Sequence, residues 1–350
     1  MENRFAQLPQ LLLPWYEQNR RALPWRKDRE PYHVWLSEIM LQQTRVEAVK
    51  GYYARFLELL PTVERLANAS EELCHKLWEG LGYYSRVRNL QKAAKCIMDE
   101  HGGVFPATYE AVRALPGIGD YTAGAVCSIC FGMPTPAVDG NVIRVASRLT
   151  ADGRDLTAPS AKRQLTALLA AVYPDGRCGD FTQALMELGA TVCVPNGAPK
   201  CESCPAAAIC EARRQGRQTE FPVRAQKKPR RQEEMTVLIL RCGNAVALEK
   251  RPEKGLLAGL WQYPNVPGKL TVEEALRLSE SWGVHPLSPE KLVEKEHIFT
   301  HVQWHMRGIY LTCAATSERF TWATEPELDA TYALPTAFRQ FREEKEICVI

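Results

Sequence analysis

Four of the twelve cysteines lie between residues 193 and 210, and their spacing constrains the chain more than any other feature. They follow the pattern C-x7-C-x2-C-x5-C: Cys193, Cys201, Cys204 and Cys210. Four thiolates at such spacing can enclose a [4Fe-4S] cluster or a tetrahedral zinc ion, and the spacing alone leaves both open. We predict a metal site here rather than disulfides, because thiols stay reduced in a chain that is not exported.

Nothing in the sequence indicates export or a membrane span. The first eighteen residues contain only a short apolar stretch and no small-residue cleavage site, so no signal peptide is predicted. Charged residues make up 24% of the chain, which argues against long disordered segments. The net charge of +3 permits a nucleic-acid partner without requiring one. We expect a cytoplasmic monomer, associated with the nucleoid if the source is bacterial.

The hydrophobic pattern divides the chain into two domains. Helices are predicted from Pro31 and near 70–80, 85–100, 108–114, 120–131, 138–149, 159–173 and 180–190. The basic, proline-containing segment 222–234 predicts an extended linker. Beyond it, Gly243-Asn244 predicts a hairpin turn, 271–282 a helix and 298–311 one long extended segment. The prediction is a mostly α fold: a helical domain over 1–221, the linker, and an α+β domain over 235–350.

A glycine pair indicates a contact with DNA. Gly117 and Gly119 lie in the sequence LPGIG between two predicted helices. They allow a tight turn whose N–H groups, at the start of a helix, can bind a phosphate without reading a base. Any helical hairpin can use glycine, so the pattern is weak alone. Its position 19 residues before VDGNV makes it specific.

Two carboxylates are candidates for acid–base chemistry. Asp139 lies at the edge of a predicted helix, where its ordinary role is that of an N-cap, and both roles can hold together. Glu38 has apolar neighbours on both sides in WLSEIML. An exposed helical glutamate is the ordinary alternative, but a carboxylate in an apolar pocket has a raised pKa and can act as a general acid.

Six motifs in one order resemble the MutY-type adenine DNA glycosylases of the helix-hairpin-helix superfamily. They are WLSEIMLQQTRV, GLGYYSRVRNL, LPGIGDYTAGA, VDGNVIRV, DFTQALMELGATVC and the cysteine cluster, and KRPEKGLLAGLWQYP and HIFTHVQWH extend the resemblance into the second domain. Two positions depart from the family pattern. The first cysteine gap is seven residues where six is more frequent, and Thr300 stands where serine is commoner.

The resemblance implies a [4Fe-4S] cluster and, as substrate, double-stranded DNA with adenine opposite 8-oxoguanine or guanine. The adenine would be flipped out of the stack. Glu38 would protonate the leaving base and Asp139 would stabilise the sugar cation. Supporting roles fall to Tyr121 and Asn141, which orient these groups, and to Arg26 and Gln183, which line the adenine pocket. Tyr121 stands where the endonuclease III branch has a lysine nucleophile, so hydrolysis without a Schiff base is implied.

The resemblance also implies contacts to the opposite base and the backbone. The residues implied in these contacts are Gln43, Thr44, Leu81, Tyr83, Gly117 and Gly119. In the second domain they are Phe299, Thr300 and His301. Core packing is the ordinary alternative for Leu81, and a strand end for 299–301. The second domain resembles a Nudix hydrolase, but 268–284 lacks the carboxylates that would hold magnesium, so recognition of 8-oxoguanine without hydrolysis is implied. The rival functions are a pyrimidine glycosylase/lyase, a Nudix pyrophosphohydrolase and a non-catalytic DNA-binding module.

Overall fold

The structure, a computed structural model, describes residues 2–223 and 229–342. Residues 224–228 of the predicted linker therefore lie outside the described residues. The chain forms two compact units. We call Met1–Asn68 with Asn89–Gln226 the helical unit, and Ala69–Arg88 with Lys227–Ile350 the sheet unit. Among the helices that the structure describes, none is long and apolar enough to cross a membrane.

The first thirteen helices run from residue 2 to residue 214. They are α1 Glu2–Ala6, α2 Leu8–Asn19, α3 Pro31–Leu41, α4 Val46–Leu59, α5 Val63–Asn68, α6 Glu71–Trp78, α7 Ser85–His101, α8 Tyr109–Ala114, α9 Asp120–Phe131, α10 Gly140–Thr150, α11 Pro159–Ala170, α12 Cys178–Thr191 and α13 Glu211–Arg214. The helix predicted from Pro31 and those near 85–100, 108–114 and 120–131 are confirmed. Helices α1, α2, α4 and α5 were not predicted.

Helix α12 is the central helix of the helical unit, because it packs against α2, α9 and α10. Its apolar face joins that of α10 in one core, with Val142, Leu149, Leu185 and Leu188 among the buried members. Gly189 brings the two helices close together, since a Cβ atom added there would lie 2.6 Å from Cβ of Asn141. The first turn of α10 is therefore positioned by direct contact with α12.

The sheet unit contains a seven-stranded mixed sheet with the order β3-β2-β1-β6-β5, in which β4 also pairs with β1 and β7 with β2. The strands are β1 Arg231–Cys242, β2 Ala245–Lys250, β3 Trp261–Gln262, β4 Asn265–Pro267, β5 Pro286–Ile298, β6 Val302–Cys313 and β7 Thr321–Thr324, and the helices are α14 Val272–Ser281, α15 Glu325–Ala330 and α16 Thr336–Arg339. Side chains of β1 alternate between the two faces. Val237 and Ile239 join one buried cluster, and Leu238 and Leu240 join the other.

The predicted hairpin at Gly243-Asn244 and the helix near 271–282 are confirmed, and β1 begins at Arg231, before the predicted domain start at 235. The prediction of one extended segment over 298–311 is wrong. Strand β5 ends at Ile298 and β6 begins at Val302, so residues 299–301 form the turn of a hairpin. The backbone N–H of Phe299 closes this turn by donating to the carbonyl of Val302 at 2.8 Å.

We predict that Gly189→Ala lowers the stability of the helical unit, and that Gly51→Ala does not. Both glycines are helical, and alanine favours a helix by up to about 1 kcal/mol over glycine. Gly51 has open space around it, whereas a Cβ at Gly189 meets Asn141. Overpacking costs about 1–3 kcal/mol, so the two variants should differ by that amount in urea unfolding followed by circular dichroism. Equal midpoints would contradict the close packing of α12 on α10.

Candidate active site

A cavity of about 560 Å³ opens in the helical unit between α3, α9, α10 and α12. Eight of the predicted site residues line it: Arg26, Glu38, Gln43, Thr44, Tyr121, Asp139, Asn141 and Gln183. They come from five segments that are far apart in the sequence. The cavity is therefore the place where the predicted acid, the second carboxylate and the predicted adenine-binding residues meet.

Glu38 is buried on α3, with 6% of its surface exposed. Every residue of α3 from 34 to 40 is buried, so the carboxylate is surrounded by the protein except where it lines the cavity. The Tyr121 hydroxyl donates a hydrogen bond to Oε2 of Glu38 at 2.6 Å. Burial raises the pKa of Glu38 to about 7, the bond from Tyr121 opposes this, and the nearby charge of Asp139 adds to it. Glu38 can therefore hold a proton near neutral pH.

Asp139 is the N-cap of α10 and also faces the cavity. Its Oδ1 accepts the backbone N–H of Val142 at 2.8 Å, and its Oδ2 accepts Nδ2 of Asn141 at 2.7 Å. Burial raises the pKa of Asp139, and these hydrogen bonds oppose the shift because they favour the charged form. The ordinary N-cap role and the predicted site position therefore coexist in one side chain.

Arg144 is a buried residue that the sequence analysis missed. Only 4% of its surface is exposed. Its Nε donates to the carbonyl of Cys193 at 2.7 Å, and its Nη2 donates to Oδ1 of Asn141 and to the carbonyl of Gly189, both at 2.8 Å. One guanidinium thus joins the first cysteine to the amide that holds Asp139. The sequence feature that could have indicated this role is an arginine among the apolar residues of VDGNVIRV.

Glu187 is a second missed residue, and it lines the same cavity. Its side chain is fully buried and forms ion pairs with Arg21 at 2.6 Å and with Arg26 at 2.8 Å. Burial by itself would raise the pKa of Glu187, but the hydrogen bonds and charges of the two arginines hold it below its usual value. The cavity therefore contains one carboxylate that favours its proton and one that stays ionised. The sequence feature that could have indicated Glu187 is its position as the one acidic residue in ALMELGA.

The predicted phosphate-binding turn lies between α8 and α9. Gly117 has a φ of 76°, in the left-handed region, and a Cβ added there would lie 2.5 Å from Cβ of Asn89. Gly119 is the N-cap residue of α9 and leaves the space around it open. The turn thus requires glycine at 117 for two reasons and presents the start of a helix, which can bind an anion.

Five of the predicted residues lie in the sheet unit: Leu81, Tyr83, Phe299, Thr300 and His301. Leu81 is buried, whereas Tyr83 is 46% exposed and has a φ of 48°. Tyr83 and Thr300 share a hydrogen bond of 3.1 Å between their hydroxyls. Phe299 packs edge-on against Trp304, with ring centroids 4.7 Å apart. A cavity of about 300 Å³ is lined by Tyr83, Phe299, Thr300 and His301.

The four predicted cysteines are half-buried and line one small cavity of about 30 Å³. Arg148 lies beside them and donates from Nη1 to Sγ of Cys193 at 3.3 Å. In the part of the chain that the structure describes, these four do not form a group whose ligand atoms all lie within 4.8 Å of one another. Four thiols on one cavity are nevertheless the donor set that a [4Fe-4S] cluster or a zinc ion takes.

The comparisons with known proteins agree on both units. Residues 36–171 match the HhH-GPD superfamily of base excision DNA repair proteins, and residues 235–344 match the NUDIX domain. The adenine DNA glycosylase of Homo sapiens is 36% identical, with 94% of this chain and 72% of that protein covered. That of Buchnera aphidicola is 32% identical, with 89% of this chain and 88% of that protein covered.

A solved structure supports the helical fold. The structure of a thermostable thymine-DNA glycosylase is similar with a TM-score of 0.55 and 28% identity, and it covers 61% of this chain and 98% of its own. The predicted fold class is confirmed: a helical unit of the base excision repair superfamily and a Nudix-like unit with a mixed sheet.

We predict that Tyr121→Phe raises the pKa of Glu38 further above about 7. The tyrosine hydroxyl donates to the carboxylate and so favours its ionised form, and its removal leaves burial unopposed by that bond. The titration can be followed by ¹³C NMR with labelled glutamate. Tyr109→Phe, on α8, is the matched control and should leave the titration unchanged. A Glu38 titration that stays the same or moves to lower pH in Tyr121→Phe would contradict the role of this bond.

Proposed function

The chain belongs to the adenine DNA glycosylases, and on that premise we propose that its substrate is adenine opposite 8-oxoguanine, or less readily guanine, in double-stranded DNA. Membership makes it a base excision repair enzyme that hydrolyses an N-glycosyl bond. The observation that carries the proposal is the pairing of Glu38, with a pKa near 7, and Asp139 in one cavity. Cytoplasmic location and a monomeric state stay predictions.

The proposed acid is Glu38. An adenine inside the stack is out of reach, so the base is flipped into the cavity of the helical unit. Glu38 gives its proton to N7 of the adenine, which makes the base a better leaving group. A general acid works best when its pKa lies near the working pH, and burial brings Glu38 into that range. Tyr121 orients the carboxyl through its hydrogen bond.

The proposed stabiliser of the sugar is Asp139. Breaking the bond leaves positive charge on the sugar, as in other glycoside hydrolyses. An ionised carboxylate facing that position lowers the energy of the transition state. The hydrogen bonds from Asn141 and from the N–H of Val142 favour the charged form of Asp139 and fix its direction. Water then completes the hydrolysis.

The proposed adenine contacts come from the part of the cavity that is lined by Arg26, Gln183 and Glu187. Gln183 and Arg26 are the residues expected there, and Glu187 joins them because it is ionised and holds Arg26. An ionised carboxylate accepts hydrogen bonds, as the exocyclic amine of adenine requires. None of the described residues that line the cavity is a lysine. A hydrolysis without a Schiff-base intermediate is therefore the proposal, in place of the lyase reaction.

Recognition of the opposite base is proposed for two sets of residues. Gln43 and Thr44 line the cavity of the helical unit, and Leu81 would act as a wedge in the base stack. In the sheet unit, Tyr83 and Thr300 present hydroxyls, with Phe299 and His301 on either side of the threonine. 8-Oxoguanine differs from guanine by an N–H at N7 and a carbonyl at C8, which a few hydrogen bonds can distinguish. Gly117 and Gly119 would bind the phosphate backbone.

The sheet unit is proposed to recognise a base without hydrolysing nucleotides. A Nudix enzyme needs several carboxylates on one helix to hold magnesium. On α14, Glu274 instead forms a capping box with Thr271, accepting its backbone N–H at 2.8 Å. No acidic cluster of metal-binding geometry is found on the described part of this helix. These features favour a binding role over the Nudix pyrophosphohydrolase.

We propose that Cys193, Cys201, Cys204 and Cys210 hold a [4Fe-4S] cluster. The support is the four thiols around one cavity, because four thiolates are the ligand set of such a cluster. Bound there, the cluster would crosslink the chain from residue 193 to residue 210. Base excision itself is carried by side chains of the cavity in the helical unit.

We predict that Asp139→Asn and Glu38→Gln each lower the single-turnover rate of adenine removal by at least about 100-fold. The first substitution removes the charge that opposes the sugar cation, and the second removes the proton donor. The assay uses duplexes with adenine opposite 8-oxoguanine, and Glu64→Gln, an exposed residue of α5, is the matched control. Near-normal rates in either variant would show that its carboxylate is misassigned. Removal of thymine glycol with borohydride trapping would overturn the function itself.

We predict that the purified protein contains about four irons per chain and absorbs broadly at roughly 400 nm. Cys204→Ser should lose iron, whereas Cys242→Ser, at the end of β1, should keep it. Iron content measured by mass spectrometry, together with the absorption spectrum, checks this. One zinc and no iron in the wild-type protein would contradict the cluster assignment.

A further inference from the structure

A second group of metal-binding side chains lies at the end of α7, apart from the four cysteines. The sulfur of Cys96, a carboxylate oxygen of Glu100 and a ring nitrogen of His101 all lie within 4.8 Å of one another. Throughout 2–223 and 229–342, this is the one group of three or more such ligands at that spacing. The cavity of the helical unit does not include any of the three.

The helix holds these side chains on a fixed platform. Cys96 and Glu100 are four residues apart, so they lie on the same face of α7. The rest of α7 is anchored in the protein interior, where Ala93, Ala94 and Ile97 are fully buried. His101 is the last residue of the helix, and the glycines that follow turn the chain with φ values of 60° and 79°. The three ligand atoms thus lie close together through the local geometry at the end of one helix.

The local charges favour a cation. The last turn of a helix carries a partial negative charge on its free carbonyl groups. Glu100 is a hydrogen-bond partner of the Cys96 thiol, and Asp99 also acts on it electrostatically. A positive ion between Cys96, Glu100 and His101 would satisfy all three groups at once.

We propose that Cys96, Glu100 and His101 form a zinc-binding site with a fourth position open to water. Thiolate, imidazole and carboxylate are the ligands of zinc, and three protein ligands plus water complete its tetrahedron. Magnesium and calcium require oxygen ligands and do not fit this set. Binding replaces the thiol proton of Cys96 by the metal, so one proton is released into solution. The ion would tie the end of α7 to the glycine turn after it.

The test is a titration of the purified full-length protein with zinc, followed by calorimetry, and with cobalt, followed by its thiolate charge-transfer absorption. The wild-type protein should bind one more equivalent of zinc than Cys96→Ser. Affinity at that site should fall by more than the roughly tenfold loss seen when an outer-shell partner is removed. His101→Gln should give the same loss, which separates ligation from any folding defect of the cysteine variant. Magnesium should give no signal.

Cys242→Ser is the matched control, because Cys242 is also half-buried and lies elsewhere in the chain. It should keep the full stoichiometry and the cobalt band. The four-cysteine segment is identical in all of these variants, so metal bound there cancels in the comparison. Equal zinc stoichiometry in the wild type, Cys96→Ser and His101→Gln would overturn the proposal. So would a cobalt band of the same intensity in the wild type and in Cys96→Ser.

Discussion

The site depends on two carboxylates kept out of water in one cavity. Burying a charge costs free energy unless hydrogen bonds or opposite charges compensate. Asp139 is compensated by Asn141 and by the start of α10, and its pKa rises less than burial alone would give. Glu38 receives one hydrogen bond from Tyr121, and burial carries its pKa to about 7. The different surroundings of the two groups, rather than their chemistry, prepare one to give a proton and the other to hold a charge.

Buried arginines link this cavity to the rest of the helical unit. Arg144 connects the backbone at Cys193 to Asn141, and through it to Asp139. Removing one member of a buried charged network leaves its partners unpaired, and this lowers the free energy of unfolding. Any change that displaces the cysteine segment would therefore alter the position of Asp139, although Asp139 does not contact that segment directly. Arg26 and Glu187 form a similar link on the side of α12.

The sheet unit has the fold of a Nudix domain, and the function proposed for it is binding rather than hydrolysis, because function depends on the site and not on the fold. The two faces of β1 build two separate cores, and this requirement fixes the alternation of its side chains. The helix α14 packs on one of these faces through Ala275, while Glu274 forms the capping box at the helix start. The residues proposed for base recognition are at the turn between β5 and β6, where Phe299 packs against Trp304 and Thr300 shares a hydrogen bond with Tyr83.

The sequence by itself determined the features that depend on neighbours along the chain. The spacing of the four cysteines, the glycine turn before α9, the N-cap at Asp139 and the hairpin at Gly243-Asn244 are local, and the helices from α7 to α12 followed from their periodicity. It did not reveal β5, in which one of thirteen residues is buried and five are charged. Only the tertiary structure decided which side chains meet. Tyr121 and Glu38 are 83 residues apart, Arg144 and Cys193 are 49 apart, and Arg26 and Glu187 are 161 apart. Burial and pairing over such separations arise from the packing of whole helices. For this reason the sequence could suggest a raised pKa for Glu38 from its apolar neighbours, but it did not identify Tyr121 as its hydrogen-bond partner or Glu187 as the partner of Arg26.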